Sequence, residues 1–430
     1  MFLLANIKSL VSCVAVLVLN LGCATYTSET TKVRSHFYSG SYGAALKELD
    51  DSSIKDQDRN RLLFLLERAM ILDRQGKRKE SRKALMEADK LVEQLFKANY
   101  AKEGAALLYN DSATDYAGED YEKVAIHTML ALSFLEDKEL QAARVEAKAI
   151  NSRLEDINSF YKENKNKYNE DAFARYLSGM IYEAKGEIDD AIIDYRAALA
   201  LYEGSYAKHF DTSTPPQLVE ALYRLAKVRN RQNIVKQLEK AYPQYARAAK
   251  ASDEGLANVV VIHQLGMIAV KRQFDFVLMW DGKPMRMSFP TIPVRNKGWL
   301  GRTGVEFKDH KFEKSEIFQN MDAIAHATLE DKRLRVTAKM AARLVLKDQI
   351  AQQARKSFGI VGELGASIYG AVTETADTRG WTLFPSLISV TRLRLPPGEH
   401  TLRIISNGKT SDIVKVKLEK NGFYFFSGVG

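Results

Sequence analysis

The sequence predicts an α+β protein. An irregular array of helical hairpins spans residues 36–250, a part with strands plus amphipathic and Gly-rich helices spans 256–380, and a small antiparallel β-hairpin module spans 381–430. Three observations carry this. First, Asp171 to Glu203 reads as one helix-turn-helix unit of about 34 residues, with Gly179, Tyr182, Ala191, Tyr195 and Ala198 alternating small and large at fixed places. Second, from about Asn258 the apolar period falls from helical spacing to alternation in β-branched and aromatic runs. Third, Asp281-Gly282, Pro396-Pro397-Gly398 and Asn421-Gly422 are turn chemistry between such runs.

The N-terminus is a different kind of sequence. Lys8 is the only charge in the first 22 residues, and Leu10 to Leu21 is an apolar run ending at Gly22-Cys23. It is too short to span a bilayer, which takes about 20 residues, but it suits the h-region of an export signal. The small residue before Cys23 resembles a bacterial lipoprotein cleavage site, although Asn20 stands where an aliphatic residue is usual. Residues 1–22 are therefore expected to be a signal peptide and Cys23 a lipidation site, against an ordinary signal or an uncleaved anchor. Ala24 favours outer-membrane sorting by the same resemblance. Cys13 and Cys23 are the only cysteines, so the chain after the signal forms no internal disulfide. Residues 23–35, polar and rich in Thr and Ser, are expected to be a tether.

The hairpins follow in order. Gly40 to Leu49 reads as the second helix of a unit, with Tyr42, Ala45, Leu46 and Leu49 on one face. Leu62 to Leu91 reads as a full hairpin turning at Gly76, and another begins at Val124. The small-residue markers Ala45, Ser81, Ala143 and Ala191 are unevenly spaced, so the array carries insertions. The unit from Asp171 looks like a complete tetratricopeptide repeat, and Gln217 to Tyr242 is one more pair, closed by Pro243. Such hairpins bury their apolar stripe only by stacking, and stacked arrays present a binding groove.

The largest insertion, Leu107 to Val124, holds Tyr109, Asn110, Asp111, Tyr116, Glu119, Asp120 and Tyr121. A long polar and aromatic loop of this kind reads as a partner-binding element. It reads equally as an acidic lead favouring the dipole of the next helix. It lacks the D-x-D-x-D-G spacing of a calcium loop.

Beyond Asn258, residues 258–262, 267–272 and 274–280 read as strands, and the prolines at 284, 290 and 293 make the next stretch an edge or extended loop. Glu313 to Lys356 reads as helix, with a core stripe at Leu334, Ala338, Ala341 and Val345 and a basic outer face. Gly359 to Val372 reads as a buried helix seam. Residues 383–405 read as strand, turn, strand, and two more strands complete a small sandwich-like cap. Asp377, Arg379 and Trp381 form the one polar cluster that could hold a sugar or a carboxylate; the same residues would also make a fold-locking ion pair under a ring.

The chain carries none of the metal, nucleotide or nucleophile motifs of an enzyme, and its seven histidines do not pair at metal spacing. No enzyme, metal or cofactor is expected. Its basic faces lack the interleaved aromatics of nucleic-acid binders, so no nucleic acid is expected either.

Gly22-Cys23, the insertion YAGEDYEKV, the run Asp322 to Lys332, ADTRGW and LPPGEH, in this order, resemble an uncharacterised family of tetratricopeptide-containing bacterial envelope lipoproteins. The resemblance covers nearly the whole chain. It implies a lipid-anchored, periplasm-facing repeat protein without an established activity. The expected role is a scaffold or adaptor whose repeat groove binds an envelope protein. The alternative is an accessory of peptidoglycan or exopolysaccharide assembly, touching glycan through Trp381, Tyr116 and the basic helices.

Overall fold

Helical structure begins earlier than the polar N-terminal segment implied. The computed structural model describes residues 26–101, 114–160, 166–248, 255–280, 283–295, 300–308, 310–333 and 375–430, with a few positions between 337 and 359. Within the stretch expected to be a tether, α1 (Tyr26–Glu29) and α2 (Thr31–Tyr38) are helices, with Tyr26, Thr30 and Val33 buried. The hydroxyls satisfy themselves locally. Thr30 donates to the Tyr26 carbonyl and Thr31 to that of Thr27, each at 3.0 Å, so the segment can lie on the core.

α3 (Tyr42–Asp50) completes the first hairpin with α2. Then come α4 (Arg61–Arg74) with α5 (Arg78–Ala101), α6 (Asp120–Glu136) with α7 (Leu140–Phe160), α8 (Ala172–Ala184) with α9 (Ile188–Leu201), and α10 (Pro216–Val228) with α11 (Gln232–Ala241). Pro243 closes the last pair but also opens α12 (Pro243–Ala248), where a missing N–H costs nothing. Glycine sets the tightest contact in the array. A Cβ at Gly179 would lie 2.5 Å from the Tyr195 ring, so the small-against-aromatic pattern is a steric requirement. Gly76 and Gly186 turn their hairpins at φ +74° and +77°.

The second half contributes β1 (Ala257–Leu265), β2 (Arg272–Trp280), β3 (Lys283–Thr291), β4 (Gly304–Phe307), β5 (Lys311–Lys314), β6 (Glu316–Asn320), β7 (Leu387–Leu395), β8 (Gly398–Ser406), β9 (Lys409–Leu418) and β10 (Phe423–Val429). They form a mixed sheet in the order β10-β1-β7-β6, a β2-β3 ribbon, and a second four-stranded sheet in the order β5-β4-β8-β9. β1 pairs antiparallel with β7 and parallel with β10.

Several local expectations are corrected. Residues 267–271 are loop, because the amides of Ile268 and Ala269 go to the Phe384 carbonyl and the Asp322 carboxylate, both at 2.7 Å. Residues 313–320 are mostly strand; the helix starts at residue 321 and Phe318 points inward, fully buried. β7 and β8 are not a hairpin. Pro396-Pro397-Gly398 carries the chain from one sheet to the other, β7 pairing with β1 and β6 while β8 pairs with β4 and β9. A boundary at residues 380/381 would therefore cut the mixed sheet, whose β1 and β6 lie before it and β7 and β10 after it. The expected signal at 1–22, the stripe residues Leu334, Ala338 and Ala341, and residues 360–372 of the Gly-rich run lie outside the described residues.

The layers follow from alternation on β1, every residue of which is buried. Val259 and Val261 face the second sheet, packing with Val305, Leu402 and Ile404. Val260 and Ile262 face the helices, in one core with Phe318, Trp381 and the array. The order is helices, mixed sheet, second sheet. α6 is buried at every position from Asp120 to Leu135, which an array open on its inner face would not allow.

Candidate functional site

Two polar constructions stand where the helices meet the sheet, and the predicted site residues lie in the first. Tyr116, Asp120 and Tyr121 are buried, and Glu119 begins α6 rather than a free loop. Glu119 pairs with Lys271 and Lys332. Burial alone would raise its carboxyl, but the two ammonium groups hold it well below the usual carboxylate range. Glu122 accepts from the Glu119 N–H (3.0 Å), the Tyr116 hydroxyl (2.7 Å) and the Trp381 N–H (2.7 Å). Glu119 and Tyr116 therefore fasten the insertion to the C-terminal half, and Tyr116, Asp120 and Tyr121 are buried. Tyr109, Asn110, Asp111 and Cys23 lie outside the described residues.

Asp377, Arg379 and Trp381 belong to the same fastening. Arg379 is bidentate to Asp377 at 2.9 and 2.7 Å, donates to the Thr114 carbonyl at 2.9 Å, and stands over the Tyr116 ring at 5.2 Å. The Trp381 side chain is buried against Phe384. The fold-locking reading describes this geometry. Neither Trp381 nor Tyr116 is available to a glycan.

Sequence reasoning missed the acids that complete the junction. Glu67, fully buried on α4, accepts from the Tyr26 hydroxyl (3.0 Å), the Thr382 N–H and hydroxyl (both 2.7 Å) and the Leu383 N–H (3.0 Å). With no cation in contact, burial pushes it up to about 7 despite those donors. Glu183 on α8 pairs with Arg224 from α10 and with Arg392 of β7 (2.6 Å), and accepts from the Tyr195 hydroxyl (2.8 Å). Burial would raise it, but the two guanidiniums hold it at about 2. Tyr202 donates to the Phe318 carbonyl (2.8 Å) and Gln319 to Asp171 (2.8 Å). One signal was visible: Glu67 is the lone acid inside LLFLLERAMIL, on a helix with no polar face to spare.

The second construction is a cleft of about 910 Å³ between the first hairpin and the edges of the two four-stranded sheets. Among the described residues its cations are Arg34 of α2, Arg74 of α4, Arg272, Arg295 and Lys409, and no aspartate or glutamate side chain lines it. Arg74 is fixed by Asp73 (3.0 Å) and Gln264 (2.8 Å). Arg295 is fixed by Asp322 (2.6 Å) and the Met267 carbonyl (2.5 Å). Such a site supplies positive potential over a concave surface.

Among the described residues no helix is long and apolar enough to cross a membrane. No family model matches the sequence, and no curated protein matches it. The solved structures that overlap it in part include three that illustrate the likeness. MamA is 16% identical over 51% of this chain and 96% of that one, with a TM-score of 0.32. TPR-like repeats of a Podosopora anserina kinesin light chain are 15% identical over 52% and 93%, at 0.32. Aspartyl phosphate phosphatase F from Bacillus subtilis is 13% identical over 53% and 52%, at 0.34. Nothing about this chain's partners follows from overlaps of this kind.

Proposed function

We propose that the protein is a non-enzymatic scaffold of the bacterial envelope, lipid-anchored at Cys23 and facing the periplasm, that binds another envelope protein. The observation that supports this most is the basic cleft. The array packs on the chain's own sheet in one core, and a concave surface open to a partner lies between α2–α3 and the sheet edges. A partner docking there touches both halves of the chain at once. The test is crosslinking capture from native envelopes, comparing the wild type with Arg272→Glu/Lys409→Glu, both exposed positions. A discrete protein captured by the wild type and lost by the variant supports the reading; glycan alone, or capture indifferent to the variant, contradicts it. The anchor has its own test: Cys23→Ser should release the protein from membranes and remove acyl mass from the N-terminal peptide.

A further inference from the structure

We propose that the cleft takes an acidic, extended peptide segment of the partner protein, and this rests on the scaffold reading above. Arg74 and Arg295 are both held by ion pairs, Arg74 buried and Arg295 at the surface, and Arg74 keeps a buried Nε–H with no acceptor among the described residues, on a side chain 7% exposed. A buried guanidinium N–H without an acceptor is costly, and an anion reaching it from the cleft would supply the partner.

Arg272 and Lys409, both exposed, make no ion pair or side-chain hydrogen bond among the described residues, while Arg34 is half-buried in the field of Glu67 and Tyr26. Two unpaired cations beside one concavity, with no aspartate or glutamate side chain among its described lining residues, favour a ligand of opposite sign.

The shape and the lining decide the class of anion. About 910 Å³ is far more than one phosphate or carboxylate fills, and lies within the range of sites that hold a small molecule or a few residues of chain. Phe37, Tyr42, Ile268, Val270 and Pro293 line it between the cations. This mixture suits a segment carrying carboxylates and apolar side chains together. Arginine forks bind carboxylates bidentately, which fixes such a segment as well as attracting it.

The probe is a fluorescein-labelled decapeptide in which Glu alternates with Ala and Leu, its Gln counterpart serving as control, followed by fluorescence anisotropy on the purified chain. We expect the Glu peptide to bind, the Gln peptide to bind at least about tenfold more weakly, and the affinity to fall as salt rises from about 50 to 200 mM. Arg272→Glu/Lys409→Glu should lose about tenfold or more, while Arg196→Glu, exposed on α9, should bind as the wild type does. Unchanged thermal melts establish that both variants are folded.

Equal binding of the two peptides, or full affinity in the cleft variant, overturns the proposal. So does competition by inorganic phosphate as effective as by the peptide, which would mean a simple anion site. Tighter binding of polygalacturonate would make the ligand a glycan. If the peptide fails while envelope capture still depends on Arg272 and Lys409, the ligand chemistry is wrong and the scaffold reading stands. If capture ignores those residues, the scaffold reading falls as well.

Discussion

Gly179 and Tyr195 show how a single atom is constrained. The Tyr195 hydroxyl is held by Glu183 (2.8 Å) and Arg392 (3.2 Å), so its ring cannot retreat from an added methyl group. Gly179→Ala should therefore destabilise the protein by about 2 kcal/mol or more, measured by chemical denaturation; a change near zero would mean the hairpin relaxes. Glu67 makes a pH-dependent prediction. Its folded pKa, about 7, lies above the ordinary 4.5, so its contribution is full below pH 4.5 and is lost as pH rises through about 7. The loss should be on the order of 3 kcal/mol, and Glu67→Gln should abolish that slope.

His127 and His263 act at opposite ends of the pH scale. Burial disfavours the charged His127 ring, but Asp89 and Glu146 raise it to about 9, so its stabilisation is full below pH 6.5 and lost as pH climbs through 9. Burial lowers His263 to about 4, between the hydroxyls of Ser406 (2.9 Å) and Thr391 (3.0 Å). Its stabilisation is full above pH 6.5 and lost as pH falls through 4. Replacing His263 with Gln should flatten the acid limb of the stability profile and leave the alkaline limb unchanged. Of these residues only Gly179, Tyr195 and the turn glycines were legible beforehand, because their role is local. Glu67 and Glu183 take theirs from groups some 200 to 320 positions away along the chain.

At the scale of elements, helices were easier to read than strands. A hairpin of the array carries its own period and its own turn glycine. Strand pairing depends on which neighbour is available, and β7 finds β1 before it finds β8. The same reason explains the tether. Thr and Ser composition describes a segment in water, while Tyr26 donates to Glu67 at 3.0 Å and Thr27 to the Thr378 carbonyl at 3.3 Å. A chain beginning at Tyr26 should melt like one beginning at Cys23. Removal of residues 26–38 should lower the melting temperature by about 5 °C or more, since it uncovers Glu67 and the first core residues. Equal melting of all three would restore the tether reading.

For the molecule as a whole, α+β organisation and a repeat array were legible in the sequence, but their union was not. An array followed by strands leaves open whether the second part docks on the array or contacts a second partner. The mixed sheet is pressed between the helices and the second sheet, and ion pairs between Glu183 and Arg392, and Glu119 and Lys271, bind residues the sequence keeps far apart. The insertion was readable as special but not as inward-facing, because Tyr116 is covered by Arg379 arriving from the other half.

Amide hydrogen exchange of the intact chain tests this union most directly, comparing α6 with β1 in the wild type and in Arg392→Met. Removing one partner of a buried, paired charge costs about 3–5 kcal/mol. If array and sheet are one cooperative body, α6 and β1 open together, and the variant loses protection equally in both. Undiminished protection of α6 beside a weakened β1 would mean that the array stands alone with its inner face free, which contradicts a single cooperative body.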